Sequence, residues 1–361
     1  MPDNSNQRAA AIRRAQIESQ RLLVQRLNQI EQEVLVLYRE ATERIAELIL
    51  SAASVDGVLT VVSVSVVSSA INQVLDDLSG ARTAILNQAI DEMVDLGLSP
   101  FDGETGRIDL DPIRSDTIQQ IRQFAANDGL KLTDRVARVD NALKQRLVTA
   151  LEERVSAGTA YSQAVERFIG TNDIPQDVLT LRGEGAARAA AQDARNELDG
   201  GKQYRAALQI IRTESIRAKG LAHRSASAAH PDIVGMKYQL SPRHPRPDIC
   251  DLHAGVNRYG LGPGVYPPDR SPWPAHPNTL SFEQVVFKDE ITDEDRNGKQ
   301  SRIDFLNRQP LEMVKEALGG HPAKLKAFQA GLVNERSIAT PWATLRKRLI
   351  TQGVDVGRLE N

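Results

Sequence analysis

The chain has 361 residues, with 45 basic and 47 acidic side chains. This length suits about two to three domains, and so even a balance excludes a globally cationic nucleic-acid binder or a chain dominated by an acidic tail. Hydrophobic residues make up 41% but aromatics only 4%, so the core must be built from Leu, Val, Ile and Ala, the residues of helix–helix interfaces.

The first fourteen residues are polar and basic, with no apolar segment behind them, so no secretory signal peptide is expected. A long helix is predicted from about Asn6 to Ser54. Leu23, Leu27, Ile30, Val34, Leu37, Ala41, Ile45 and Leu48 fall on one face at heptad-like steps of three and four. This spacing suits a bundle or a coiled-coil partner. Asp56-Gly57 interrupts it. The run Val58–Ile71 is the most apolar in the chain, but it is too short and Ser-rich for a membrane span of about 20 apolar residues. It reads as a buried helix or strand, and stable membrane insertion is not expected. The helical pattern continues to about Leu98, and Ser99–Asp111 is predicted to be a loop.

Another helix is expected after Thr133, its candidate cap, with Val136, Val139, Leu143, Leu147 and Leu151 as the buried stripe. Gly158 would stop it, and Ser162 would open a short helix ending at Gly170. Residues 185–229 read as Ala-rich helix broken at Gly200-Gly201. The texture then changes. Nine of the seventeen prolines lie between Ser241 and Pro277, so a helix cannot continue there and the backbone must turn repeatedly. Met236–Leu240, just before it, is the best strand candidate. The tail opens on the acidic cluster Asp289–Asp295, followed by short amphipathic pieces at Pro310–Leu318, Ala323–Gly331 and Thr340–Ile350.

Chemistry concentrates in the Pro-rich part. Five of the six histidines lie between His223 and His276, and the one cysteine is Cys250. That single thiol excludes an internal disulfide framework and fits a reducing compartment such as a bacterial cytoplasm. Cys250, His253 and His276, with Asp248 as a fourth, could hold zinc, which closes irregular loops well. The same side chains could instead hydrogen-bond the backbone of a segment poor in local donors. On the preceding helix stand Arg212, Thr213, Glu214 and Arg217, where Glu214 and Arg217 can pair at i,i+3 on the surface; a buried Glu214 could instead hold the Pro-rich loop. Between Gly201 and Pro247, nine Lys or Arg face only two acidic residues. Arg205, Lys219, Arg224, Lys237, Arg243 and Arg246 are therefore candidate contacts for DNA phosphates, without any sequence-reading motif. Walker A, G-x-G-x-x-G, H-E-x-x-H and G-x-S-x-G patterns are all absent from the sequence, and no catalytic residues are expected.

Taken in order, Ile210–His223 (IIRTESIRAKGLAH), Met236–Ala254 (MKYQLSPRHPRPDICDLHA) and Tyr259–Phe282 (YGLGPGVYPPDRSPWPAHPNTLSF) resemble the MuF-type domain of phage minor head proteins, the head-morphogenesis family. That family joins an Arg-Thr-Glu helix, a strand, a D-x-C-x2-H cluster and a closing P-x-H-P-x-C-x-C. The resemblance covers about residues 200–285, and Phe305–Leu349 resembles the tails that follow this domain. One departure is clear: Thr279 and Ser281 stand where the family often has two cysteines, so a zinc site inferred from it loses two thiolates here.

The helical periods and the resemblance together give a mainly α protein in three parts: a helical N-terminal region at residues 1–184, a small α+β MuF-type core at 185–285 containing the Pro-rich irregular segment, as the resemblance implies, and an acidic linker with a short helical tail at 286–361. It implies a structural virion component inside the capsid at the portal vertex, made in the host cytoplasm. Its partners would be the portal protein, other capsid or internal head proteins, further copies of itself, and packaged DNA contacted without sequence preference. The readings set against it are a zinc-dependent nuclease-like or toxin enzyme carried in a phage head, and a DNA-binding scaffold protein unrelated to phage. A tail of about 75 residues is short for an added catalytic domain.

Overall fold

The computed structural model describes residues 4–53, 61–125, 129–168, 190–196, 198, 202–242, 244, 246–275 and 281–360. The expected mainly α architecture with a small α+β part and a helical tail is what these residues form. Long helices come first: α1 (Asn4–Ala53), α2 (Val61–Leu98), α3 (Leu110–Gln123), α4 (Leu132–Phe168) and α5 (Lys202–Ala229). Several details depart from the sequence reading. Helix α3 occupies a stretch left unassigned, where Ile121 is buried. Val61 onward is helix rather than strand. Helix α4 runs through Gly158 and Ser162 without a stop, because an isolated glycine costs a helix only about 1 kcal/mol. Its start is held by Asp134, whose carboxylate accepts the Lys131 N–H at 3.1 Å, rather than by Thr133. The breaks expected at Asp56-Gly57 and Gly200-Gly201 lie outside the described residues.

Contacts divide the chain into two interleaved units, rather than at the expected boundary 285/286; the boundary 184/185 lies outside the described residues. One unit comprises Leu23–Met93 and Ile118–Ser215. Its core follows α1 through Leu23, Leu27, Ile30, Val34, Tyr38, Ala41, Ile45 and Ile49, all nearly inaccessible. Leu37 and Leu48 of the expected stripe give way to Tyr38 and Ile49. The buried steps run four-three-four, an 11-residue repeat from Leu23 to Val34 and again from Val34 to Ile45. That repeat, at about 3.67 residues per turn, drifts in the opposite sense to a strict heptad repeat, which would impose a left-handed supercoil. Arg82, with a side chain 2% exposed, joins three helices of this unit: its guanidinium donates to Tyr38 Oη at 3.1 Å and to Asp140 Oδ1 at 2.6 Å.

The other unit comprises Met1–Leu22, Val94–Thr117 and Ile216–Asn361. It carries an antiparallel sheet in which β1 (Ile233–Gln239) lies between β2 (Val265–Tyr266) and β3 (Phe282–Phe287). The strand expected at Met236–Leu240 is thus the sheet's centre, with Met236 opposite Tyr266 on one side and Val285 on the other. Met236 and Tyr238 are buried while Lys237 between them is exposed, the alternation of a half-buried strand. The free edge of β3 is closed by α1. The Gln16 side-chain amide donates to Glu283 O and accepts the Val285 N–H at 3.4 Å, as a neighbouring peptide group would, and Arg13 donates to Val285 O at 3.2 Å. An unpaired edge is an aggregation hazard, and here side chains remove it.

The tail is part of this unit's core, not an appendage on a linker. Tyr238, Leu252, Val256, Tyr266 and Trp273 share one apolar cluster with Leu306, Val314, Ile338, Leu345 and Leu359. The acidic stretch folds into a 3-10 turn at Lys288–Glu290 and a short helix, α7 (Asp293–Asn297), after α6 (Ile249–Gly255). The remaining helices are α8 (Arg302–Leu306), α9 (Leu311–Ala317), α10 (Pro322–Gln329), α11 (Trp342–Thr351) and α12 (Gly357–Glu360). Three of them, α9 to α11, are the amphipathic pieces read from the sequence. No helix among the described residues is long and apolar enough to cross a membrane.

Candidate functional site

The Pro-rich segment from Leu240 to Phe282 is organised by caps, glycines and one tryptophan. Helix α6 begins with a capping box: Asp248 Oδ1 accepts the Cys250 N–H at 2.6 Å, and Asp251 Oδ2 accepts the Asp248 N–H at 2.7 Å. His244 Nε2 lies 2.9 Å from Asp251 Oδ2 and 3.8 Å from Asp248 Oδ1. The chain then reverses through Gly260, Gly262 and Gly264, all at positive φ. At Gly264 a side chain is excluded twice over, since a Cβ would also press into the Ala254 carbonyl, 3.1 Å from its carbon. Asn257 ties this loop to the tail. Its Oδ1 accepts the Gly260 N–H at 2.9 Å and its Nδ2 donates to Asp295 O at 2.6 Å.

Three residues of the expected metal set have other partners in this arrangement. Cys250 is 1% exposed and its sulfur accepts the Tyr238 hydroxyl at 3.0 Å. His253 is buried between tyrosines: its Nδ1 lies 3.3 Å from Tyr266 Oη, and that hydroxyl also reaches His253 O at 3.2 Å. Burial, helped by the charges of Arg302 and Arg258, lowers the His253 pKa to about 4, so its imidazole is neutral at neutral pH. Both side chains are therefore core members, and Asp248 is occupied as a helix cap. His276 lies outside the described residues, as does Thr279. Among the described residues, the group whose ligand atoms converge is His244, Asp248 and Asp251, all within 4.8 Å of one another. Two of its three members also complete the capping box that opens α6. Cys250 and His253 each meet a tyrosine hydroxyl.

The Arg-Thr-Glu helix is also placed differently from its surface reading. Glu214 is fully buried and its carboxylate accepts from Arg135 Nη1 of α4 at 2.9 Å. Arg212 pairs with Glu31 of α1 at 2.8 Å, and Thr213 and Arg217 are partly buried. These residues fasten the helical unit. The Pro-rich segment is instead gripped one to three turns further along α5. Arg224 Nη1 donates to Trp273 O at 2.7 Å and pairs with Glu283 at 3.2 Å, and its guanidinium lies 5.8 Å from the Trp273 ring centre. Trp273 Nε1 donates to Ser281 O at 2.7 Å. Gly220 lets the indole approach: a Cβ there would sit 2.6 Å from Cε3 and closer still to Cζ3. On the neighbouring face Gly97 of α2 allows α5 to come close, because a Cβ would fall 2.8 Å from that of Ala222.

The basic patch does not survive folding as a continuous surface. Lys219 is 7% exposed, with Nζ donating to Gln20 Oε1 at 3.1 Å, and Arg224 is turned inward onto Glu283 and Trp273. Arg205, Lys237 and Arg246 are exposed, and Arg243 lies outside the described residues. Linear charge counting missed this because a helix distributes consecutive cations around its whole circumference. Sequence reasoning also missed Gln16, Arg82 and Glu283. A glutamic acid in the apolar run FEQVVF was the one visible signal, since a strand centre seldom buries a carboxyl without a purpose.

Comparisons with protein-family models, with curated proteins and with solved structures returned no match.

Proposed function

We propose that this chain is a structural minor head protein of a phage, seated at the portal vertex inside the capsid and assisting head assembly and the retention or delivery of packaged DNA. The observation carrying this reading is the ordered set Arg212-Thr213-Glu214, strand, Asp248-x-Cys250-x2-His253 and Trp273-Pro274-Ala275-His276-Pro277, which resembles the MuF-type domain. Two features of the fold agree with a scaffold role. The cysteine and histidine of that set serve packing and Asp248 serves a helix cap, which leaves no reactive centre built from them. The long helices α1, α2, α4 and α5 offer extended faces for a portal subunit or further copies of the chain.

Co-expression with the portal protein of the same phage tests the reading. The chain is expected to co-purify with portal rings and to appear as extra density on their capsid-facing side in images of assembled heads. A protein that stays separate from the portal, and is missing from purified heads, would overturn it. Contact with packaged DNA rests on fewer cations than the sequence suggested. Reversing the charges of Arg205, Lys237 and Arg246 together should weaken non-specific DNA binding and flatten its salt dependence. Unchanged binding would remove DNA contact from the proposal.

A further inference from the structure

The tail of the sheet-bearing unit packs a lysine into its interior. Lys324 is 3% exposed, and lysines are seldom fully buried because an ammonium is costly to strip of water. A carboxylate usually compensates, but Lys324 Nζ donates instead to a peptide carbonyl, Ile338 O, at 2.5 Å. Local structure puts it there. His321 caps α10 and Pro322 opens it, so Lys324 falls in the first turn, and the turns between Asn334 and Thr340 carry Ile338 O to the amine. The first turn is the positive end of a helix, where added positive charge is disfavoured. Burial without a counter-charge lowers the Lys324 pKa from 10.5 to about 8.

Lys324 and Ile338 also border a cavity of about 530 Å³ between α6, α9, α10 and α11. Ile249, Leu318 and Trp342 give the cavity apolar surface, and the Trp342 ring lies 5.4 Å from that of His321. The volume suits a small organic molecule, and largely apolar walls with a few polar groups are what ligand pockets present. Asp248 and Glu316 stand on the same wall, but both carboxylates have partners already, one in the α6 cap and one in Lys315. No free counter-charge therefore awaits an ionic ligand, and stripping one of its water would be costly.

We infer that this cavity takes a small neutral aldehyde with an apolar body and that Lys324 Nζ captures it as an imine. Desolvated lysines in apolar pockets are the ones that serve as amine nucleophiles toward carbonyl carbon. The unprotonated amine attacks the carbonyl carbon through its lone pair, and the C=O π pair moves to oxygen. One amine hydrogen passes to that oxygen to give the carbinolamine. The second amine hydrogen and the hydroxyl then leave as water while the nitrogen lone pair forms the C=N bond. One water is released, and no oxidant or reductant takes part. The inference goes beyond the head-protein reading and does not depend on a portal.

Benzaldehyde and the anionic aldehyde glyoxylate are the probes, each trapped on the folded protein near neutral pH with cyanoborohydride and located by mass spectrometry of peptides. With benzaldehyde, Lys324 is expected to react saturably and at least about tenfold faster than the exposed Lys299 and Lys347, because a larger share of its amine is unprotonated. Glyoxylate should show no such preference. Trace acetylation across a pH series should place the half-maximal rate of Lys324 near pH 8, about two units below the exposed lysines. In urea beyond the unfolding transition the preference for Lys324 should vanish, since the folded cavity creates it. The inference is overturned if Lys324 reacts no faster than Lys299 and Lys347, if glyoxylate labels it as selectively as benzaldehyde, if its acetylation rises with the exposed lysines, or if the preference survives unfolding. Every readout uses the unaltered protein, so none depends on a variant that folds.

Discussion

Replacing Gly220 by alanine sets two effects of opposite sign against each other. In a helix interior the change should stabilise by about 1 kcal/mol through backbone propensity. At this position, however, the new methyl would lie 2.6 Å from Trp273 Cε3, far inside the ~3.5–4.0 Å at which carbon atoms pack, and closer still to Cζ3. The ring would have to retreat by roughly an ångström or more. It is not free to do so: its Nε1 is tied to Ser281 O at 2.7 Å and its carbonyl to Arg224 at 2.7 Å. Overpacking of this kind costs about 1–3 kcal/mol, and a strained or broken hydrogen bond adds about 1 kcal/mol. The clash wins, and Gly220→Ala should destabilise by about 1–3 kcal/mol net. Urea denaturation reads this as a lowered midpoint. A double-mutant cycle isolates the cause: in a Trp273→Ala background the obstacle is gone, so the same substitution should become neutral or stabilise by up to about 1 kcal/mol. If Gly220→Ala stabilises the otherwise unaltered protein, or has the same effect in both backgrounds, the indole does not require this glycine.

Acid sensitivity should come from two buried neutral histidines. Burial, then the charge of Lys219, lowers the His223 pKa to about 3, and His253 sits at about 4, against an ordinary 6.5. As pH falls below 6.5 the unfolded chain takes up protons that the folded chain refuses, so stability should drop by about 2 kcal/mol per histidine by pH 5. His223→Gln should shrink the loss between pH 7 and pH 5 by about half; equal pH slopes in variant and parent would refute the assignment. Glu214→Gln should destabilise by about 3–5 kcal/mol because it leaves Arg135 buried without its counter-charge, whereas Glu214→Leu with Arg135→Met should recover most of that loss. A single-variant loss below about 1 kcal/mol would mean the pair is solvated. Chelator should leave thermal unfolding unchanged if Asp248 and Asp251 act as helix caps, and Asp248→Ala should cost about 1 kcal/mol. A chelator-induced fall in unfolding temperature, reversed by zinc, would instead make His244, Asp248 and Asp251 a metal site.

Much of the helical scaffold was legible because it rests on local periodicity. The apolar steps of α1, the strand around Met236 and the tail helices α9 to α11 each bury one face, and burial of one face leaves its period in the sequence. The mainly α class with a small sheet followed from those periods and from the prolines between Ser241 and Pro277. What each polar residue does was not legible, because that depends on which element comes to lie opposite. Cys250 and His253 have ligand chemistry but face tyrosines, and Lys219 and Arg224 count toward a basic run but point inward. Gln16 closes a sheet edge 269 residues away in sequence. Two positions of the stripe read on α1, Leu37 and Leu48, shifted for a related reason. Steps of three and four fit both a 7-residue and an 11-residue repeat over a short span, and only the packing of Tyr38 and Ile49 distinguishes them. The sequence by itself determined where helices form and where they cannot, since those are properties of neighbouring residues. Only the tertiary structure decided which side chains meet, because that pairing is set by the global packing of segments whose separation along the chain carries no local signal.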